Sequence, residues 1–98
     1  MIHIATACGA GMGSSLVLRM YTEDVLKELG VEANVEAMDV PQVKGAKVDL
    51  VLTSPALVDN VSGGRAKVKP ISNYIDKSLI KAALIEYLDE EGIPYKKE

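Results

Sequence analysis

One cysteine, Cys8, ends a short apolar run and opens a loop of three alternating glycines, Cys8-Gly9-Ala10-Gly11-Met12-Gly13-Ser14-Ser15. Directly behind the loop comes an amphipathic stretch with helical spacing. A strand, a glycine-rich loop and a helix N-terminus together let backbone N–H groups converge on an anion. The same helix end and loop amides favour the thiolate form of a cysteine placed among them. These residues predict a nucleophilic cysteine that takes and holds a phosphoryl group.

Three phosphate-handling motifs can be compared with the loop. A nucleotide-hydrolase P-loop needs Lys followed by Ser or Thr after its last glycine, whereas Ser14-Ser15 follows Gly13 here. A dinucleotide fingerprint needs G-x-G-x-x-G, and this loop reads Gly9-x-Gly11-x-Gly13, although Asp39 stands where a ribose-binding acid would. A cysteine-phosphatase loop has an arginine after five intervening residues, and position 14 is a serine. That arginine clamps the phosphate oxygens during both transfer steps. Asp59 is the one candidate for a leaving-group acid. The pattern fits transfer of a phosphoryl group onto sulfur better than its rapid hydrolysis.

The surrounding elements follow from periodicity. Ile2 to Ala7 reads as a buried strand, β-branched at Ile2, Ile4 and Thr6. From Ser14 to Leu29 the apolar residues Leu18, Tyr21, Val25 and Leu29 recur at helical spacing, with Ser14 or Ser15 as N-cap and Gly30 as C-cap. Ala33–Met38 is a second strand, and Pro41 to Gly45 leaves room for a helical turn or two. Val48–Thr53 is a third strand, apolar enough to be central. Ser54-Pro55 opens a loop or short helix reaching Asn60, Ser62-Gly63-Gly64 is a turn, and Ala66–Ile71 is a weak fourth strand. Asp76 caps a last helix with a buried stripe of Ile80, Ala83, Leu84, Tyr87 and Leu88, and Gly92 stops it before a polar tail, 93–98.

Strands alternating with helices predict a small α/β fold, a doubly wound, parallel four-stranded sheet flanked by helices, Rossmann- or flavodoxin-like and similar to low-molecular-weight cysteine phosphatases. Ligands of such sheets bind beyond the carboxyl ends of the strands at the switch point, where the Cys8 loop and the loop after Ser54 both belong.

Ninety-eight residues, 48% hydrophobic and 26% charged, predict one domain, 1–98, with an aliphatic core. The net charge of −3, with no basic stripe or stacking aromatics, argues against nucleic-acid binding. One cysteine makes no internal disulfide, one histidine makes no zinc cluster, and no apolar run reaches membrane-spanning length. A cytoplasmic location is expected, with no metal or cofactor. His3, about 16 Å upstream of Cys8 at 3.3 Å per residue, reads as structural. Arg19 reads as a solvated helix residue or a partner anchor, Met12 as an adaptable docking contact, and Arg65-Ala66-Lys67-Val68-Lys69 as a solvated strand face.

The run Ala7–Leu16, then Met20, Val25–Gly30 and Val48–Ser54 resembles the cytosolic IIB component of the bacterial sugar phosphotransferase system, in particular its ascorbate type, which is grouped with the galactitol type. The resemblance implies that Cys8 becomes a phosphocysteine. Gly9, Ala10, Gly11, Met12, Gly13, Ser14 and Ser15 would hold the phosphoryl oxygens. It also implies two partners, a phosphorylated IIA component that donates from a phosphohistidine and a membrane-embedded IIC permease that presents the sugar. Two other readings of the loop stay open: a small cysteine-dependent phosphatase or arsenate-reductase-like enzyme, and a non-catalytic module that senses an anion.

Overall fold

The computed structural model of the chain describes residues 2–7, 12–61 and 66–96, and strand alternates with helix along them. β1 (Ile2–Ala7) leads to α1 (Met12–Leu29), and β2 (Ala33–Ala37) to α2 (Val40–Gly45). β3 (Leu50–Thr53) passes through a 3₁₀ turn, Pro55–Leu57, into α3 (Val58–Val61), and β4 (Lys67–Pro70) precedes α4 (Lys77–Glu91). All three strand pairings are parallel, in the order β2-β1-β3-β4. This is the expected four-stranded, doubly wound α/β sheet. The chain leaves β1 for β2 on one side and returns to β3 on the other, so the winding reverses between β1 and β3.

Alternation along the two central strands builds two cores. Ile4 of β1 with Leu50 and Leu52 of β3 packs under α1 and α4, against Leu18, Val25, Leu29, Ile80 and Leu84. Ala5, Ala7 and Val51 face the other way, under Val43 of α2 and Val61 of α3. The small alanines match the short helices on that side. Each fully buried Leu or Ile contributes about 1.5–3 kcal/mol relative to its exposed state.

Both long helices end on the glycines expected to stop them. Gly30 and Gly92 each take φ of +69°, a left-handed conformation that costs glycine least. Gly30 N donates to Lys27 O and Val31 N to Leu26 O, and the same pair of bonds recurs from Gly92 to Asp89 and from Ile93 to Leu88. This is the Schellman closure, with Val31 and Ile93 folded back onto the core. At its other end α4 is capped as expected, the Asp76 carboxylate accepting from Ser78 N at 3.0 Å.

Several expectations are corrected. α1 begins at Met12, so Ser14 and Ser15 stand inside its first turn and neither is the N-cap. β3 begins at Leu50, and Asp49 just before it is also bonded to β1, its N donating to His3 O at 2.7 Å and its carboxylate accepting from His3 N at 2.8 Å. β4 is trimmed to Lys67–Pro70. Lys67 is exposed, as a solvated face implies, but Lys69 is largely covered. Lys69 is bonded to Glu86 and Glu90 of α4, and Lys67 to Glu90 and Glu91, which ties the edge strand to the helix above it. The hydrogen bond that Lys69 donates to Glu86, aided by Glu90, raises the Lys69 ammonium above the ordinary lysine range against the opposing effect of burial. Charged edge residues also discourage pairing with a foreign strand.

The tail after Gly92 is not merely polar. Ile93 and Tyr95 pack on the larger core, Tyr95 Oη donates to Asp89 at 3.0 Å, and Lys96 N donates to Leu29 O at 2.7 Å. Tyr87 lies in the buried α4 stripe as expected. The turn at Ser62-Gly63-Gly64 and Arg65 lie outside the described residues.

Candidate functional site

Cys8 follows Ala7, the last residue of β1, and Gly11 precedes Met12, the first residue of α1. Cys8, Gly9, Ala10 and Gly11 themselves lie outside the described residues, as does the side chain of Met12. They stand between the end of a strand and the start of a helix. Ala7 pairs with Thr53, so the chain leaves β1 and β3 side by side at the carboxyl edge of the sheet, where the winding reverses. Ser54 therefore opens its loop at the same edge of the sheet as the end of β1, as expected. A doubly wound sheet presents its ligand crevice there.

Two buried threonines fix the ends. Thr53 Oγ1 donates to Ala7 O at 2.6 Å, holding the carbonyl whose peptide bond joins Cys8. Thr6 Oγ1 donates to Ser15 O at 2.9 Å, holding the first turn of α1 on the end of β1. Neither threonine is visible to solvent. Neither was among the expected site residues. The signal was a polar side chain at or next to the end of each of the two central strands, where a buried hydroxyl costs stability unless it is bonded. Both act as positioning residues.

The helix supplies an electropositive end. Met12, Gly13 and Ser14, as the first residues of an α-helix, have N–H groups that no carbonyl within the helix accepts. Among the described residues, a Cβ added at Gly13 would meet nothing within 4 Å, so their packing does not require glycine there. Of this first turn Gly13 is exposed. Ser14 is half-buried, and Ser15 is 2% exposed beneath the turn. An 18-residue helix aligned behind these amides favours negative charge at this end.

The other singled-out residues stand apart. His3 is at the far end of β1, exposed, with its Nδ1 3.5 Å from Asn34 Nδ2. Arg19 pairs with Glu23 at 3.6 Å along the helix, roughly 10 Å beyond Met12 at 1.5 Å per residue. Asp39 serves the start of α2, its N donating to Gln42 Oε1 at 2.9 Å. Asp59 is exposed on α3. Among the described residues no group of His, Cys, Asp and Glu could hold a metal ion. Nor, among them, is any helix long and apolar enough to cross a membrane.

Comparison with known proteins bears on the same stretch. Residues 3–86 match the family model described as the lactose/cellobiose-specific IIB subunit of the phosphotransferase system. The chain belongs to the phosphotransferase-system IIB family. It is also 37% identical over 90 residues to the ascorbate-specific EIIB component of Mycoplasma pneumoniae, covering 89% of this chain and 95% of that protein. The IIB chain is thus a phosphoryl carrier in sugar transport, a phosphotransferase component that works with IIA and IIC partners.

For a IIB chain the open space at Gly13 has a consequence. Gly13→Ala is expected to raise stability by up to about 1 kcal/mol, since alanine is the better helix former and no atom of the described residues obstructs it. The same methyl sits at the mouth of the first turn and slows phosphoryl transfer. Urea unfolding and a transfer assay on one preparation check both halves. A variant that gains stability and keeps full transfer removes Gly13 from the site.

Proposed function

We propose that Cys8 is the residue that carries the phosphoryl group. Its sulfur attacks the phosphorus of a phosphohistidine on the IIA component, and the N–P bond breaks with its electron pair returning to the imidazole. In the second step a sugar hydroxyl on the membrane-embedded IIC component attacks phosphorus. The S–P bond breaks, the thiolate is restored and the hydroxyl proton leaves to solvent or a base on the permease. The backbone from Gly9 to Ser15 receives the phosphoryl oxygens in this reading. The hydroxyls of Ser14 and Ser15 assist it, Ser14 being the more open of the two. These exchanges occur at the cytoplasmic face of the membrane.

The observation that carries this reading is the juxtaposition of the only cysteine with two fixed ends. A strand terminus at the switch point precedes it by one residue, and a helix N-terminus follows the loop. A nucleophile there meets its electrophile in a nest of amides, and developing charge on the transferring oxygens is stabilised without reorganisation.

Ascorbate is the proposed sugar class, supported by the relative that matches across almost its full length. The family model's description covers lactose and cellobiose instead, so the choice needs an experiment. Membranes containing an ascorbate permease, supplied with phosphorylated donor and this chain, should form ascorbate phosphate. Membranes containing a cellobiose permease should not form cellobiose phosphate. The reverse outcome reassigns the sugar and leaves the carrier chemistry untouched.

A further inference from the structure

Ser54, at the carboxyl edge of the sheet, has a side chain that the fold does not use. It begins the 3₁₀ turn Pro55–Leu57, and its carbonyl accepts from Leu57 N at 3.0 Å. A serine in that position ordinarily turns its hydroxyl back onto an N–H of the turn. Here the hydroxyl makes no such bond, nor any other among the described residues. The residue is half-buried and its backbone is pinned. Its φ of −72° and ψ of 152° lie in the extended region to which the following proline confines it.

Thr53 sets where this hydroxyl stands. It pairs with Ala7, and its Oγ1 donates to the Ala7 carbonyl at 2.6 Å, so the two strand ends are locked side by side. Cys8 is one peptide bond beyond Ala7, and Ser54 is one beyond Thr53. At about 3.8 Å per residue and about 4.8 Å between strands, covalent geometry keeps the two Cα atoms within roughly 12 Å. Alternation along β3 gives the direction. Leu52 faces the core beneath α1 and α4, whereas Val51 faces the core beneath α2 and α3. An extended Ser54 falls on the face of Leu52, the same face on which Thr6 bonds to the first turn of α1. A half-buried hydroxyl without a partner thus shares the switch point with the N-terminus of α1.

We infer that Ser54 is a further phosphoryl-binding residue, its hydroxyl donating a hydrogen bond to an oxygen of the group while it rests on Cys8. A serine hydroxyl rotates to meet its acceptor and, unlike an arginine, brings no positive charge. It supports a phosphoryl group that awaits a sugar without the fixed cation that speeds transfer to water. Pro55 has no N–H, so the hydroxyl supplies the donor that the next amide of this loop cannot. The inference rests on the proposal that Cys8 carries the group.

The test compares Ser54→Ala and Ser54→Thr with the unsubstituted full chain, each phosphorylated by IIA without sugar. Because the hydroxyl makes no bond in the fold, the urea midpoints of all three should coincide. The equilibrium between phosphorylated IIA and phosphorylated chain should shift toward IIA by about tenfold in Ser54→Ala, the size of one hydrogen bond to a charged acceptor. Ser54→Thr keeps the hydroxyl and should stay within about threefold of the unsubstituted chain. Phosphorus NMR of the phosphorylated chains gives a second reading. A donor to the dianion favours the charged form, so the second ionisation of the phosphoryl group should move to higher pH in Ser54→Ala and return in Ser54→Thr. An unchanged equilibrium in Ser54→Ala overturns the inference and leaves the role of Cys8 standing. A shifted equilibrium with an unmoved titration makes Ser54 a structural residue and overturns it too. Peptide mapping of the same samples separates the remaining failure: a phosphoryl group on any peptide other than that of Cys8 overturns the carrier reading and this inference together.

Discussion

Cys8→Ser leaves the fold intact and lowers phosphoryl transfer from donor to sugar by about a thousandfold or more. Removal of a covalent nucleophile is among the largest single-residue effects in catalysis. A thiol near neutral pH is partly thiolate and intrinsically very nucleophilic, whereas a serine hydroxyl needs a base to activate it. The chain's one histidine is His3, at the opposite end of β1, so no imidazole of the chain stands beside the loop to act as that base. The serine variant is close to isosteric, so urea unfolding should match the unsubstituted chain within about 0.5 kcal/mol. Transfer is read in a reconstituted system of donor, carrier and permease membranes.

The second expected result concerns water. A carrier must keep its phosphoryl group until sugar arrives, whereas a cysteine phosphatase must lose it to water quickly. The phosphatase loop accelerates both steps with an arginine at the position occupied here by Ser14. A positioned arginine on a transferring phosphoryl group is worth about 10³ to 10⁵ in rate. Phosphorylated chain is therefore expected to accumulate when donor is present, and to outlast a single sugar transfer by orders of magnitude when sugar and permease are withheld. Para-nitrophenyl phosphate should be turned over negligibly. Rapid multiple turnover of that ester, with no phosphoprotein detectable by intact mass, would restore the phosphatase reading.

Much of the architecture was legible because the pattern there is local and strong. β3 reads as central because Leu50, Val51 and Leu52 are apolar on both faces, and all three are fully buried between β1 and β4. Gly30 and Gly92 mark helix ends because the left-handed turn that closes each helix selects glycine. The start of α1 was harder to read. Gly13 has poor helix propensity, so the loop seemed to run to Ser14. Yet the first turn is held by Thr6 Oγ1 on the Ser15 carbonyl, a bond that spans nine residues and leaves no periodic trace.

The same reasoning explains the other misreadings. Lys67 and Lys69 alternate like a solvent face; Lys67 is exposed, but the return of α4 covers Lys69 and puts Glu86, Glu90 and Glu91 within bonding distance of the two. Ile93 and Tyr95 look stranded among Pro94 and Lys96, but the closure at Gly92 directs them onto the core. For the site, Cys8 and its glycines were legible as chemistry. Thr6 and Thr53 were not, because their role depends on which strands become neighbours.

The central claim is that the phosphoryl group rests on the sulfur of Cys8. It is tested most directly by incubating the chain with phosphorylated IIA in the absence of sugar and mapping the modification by mass spectrometry of its peptides. The account predicts one phosphoryl group per chain, on the peptide that contains Cys8, and none on the Cys8→Ser variant. A phosphoryl group found on His3, on Ser14 or on any residue of the serine variant at the same level would contradict it.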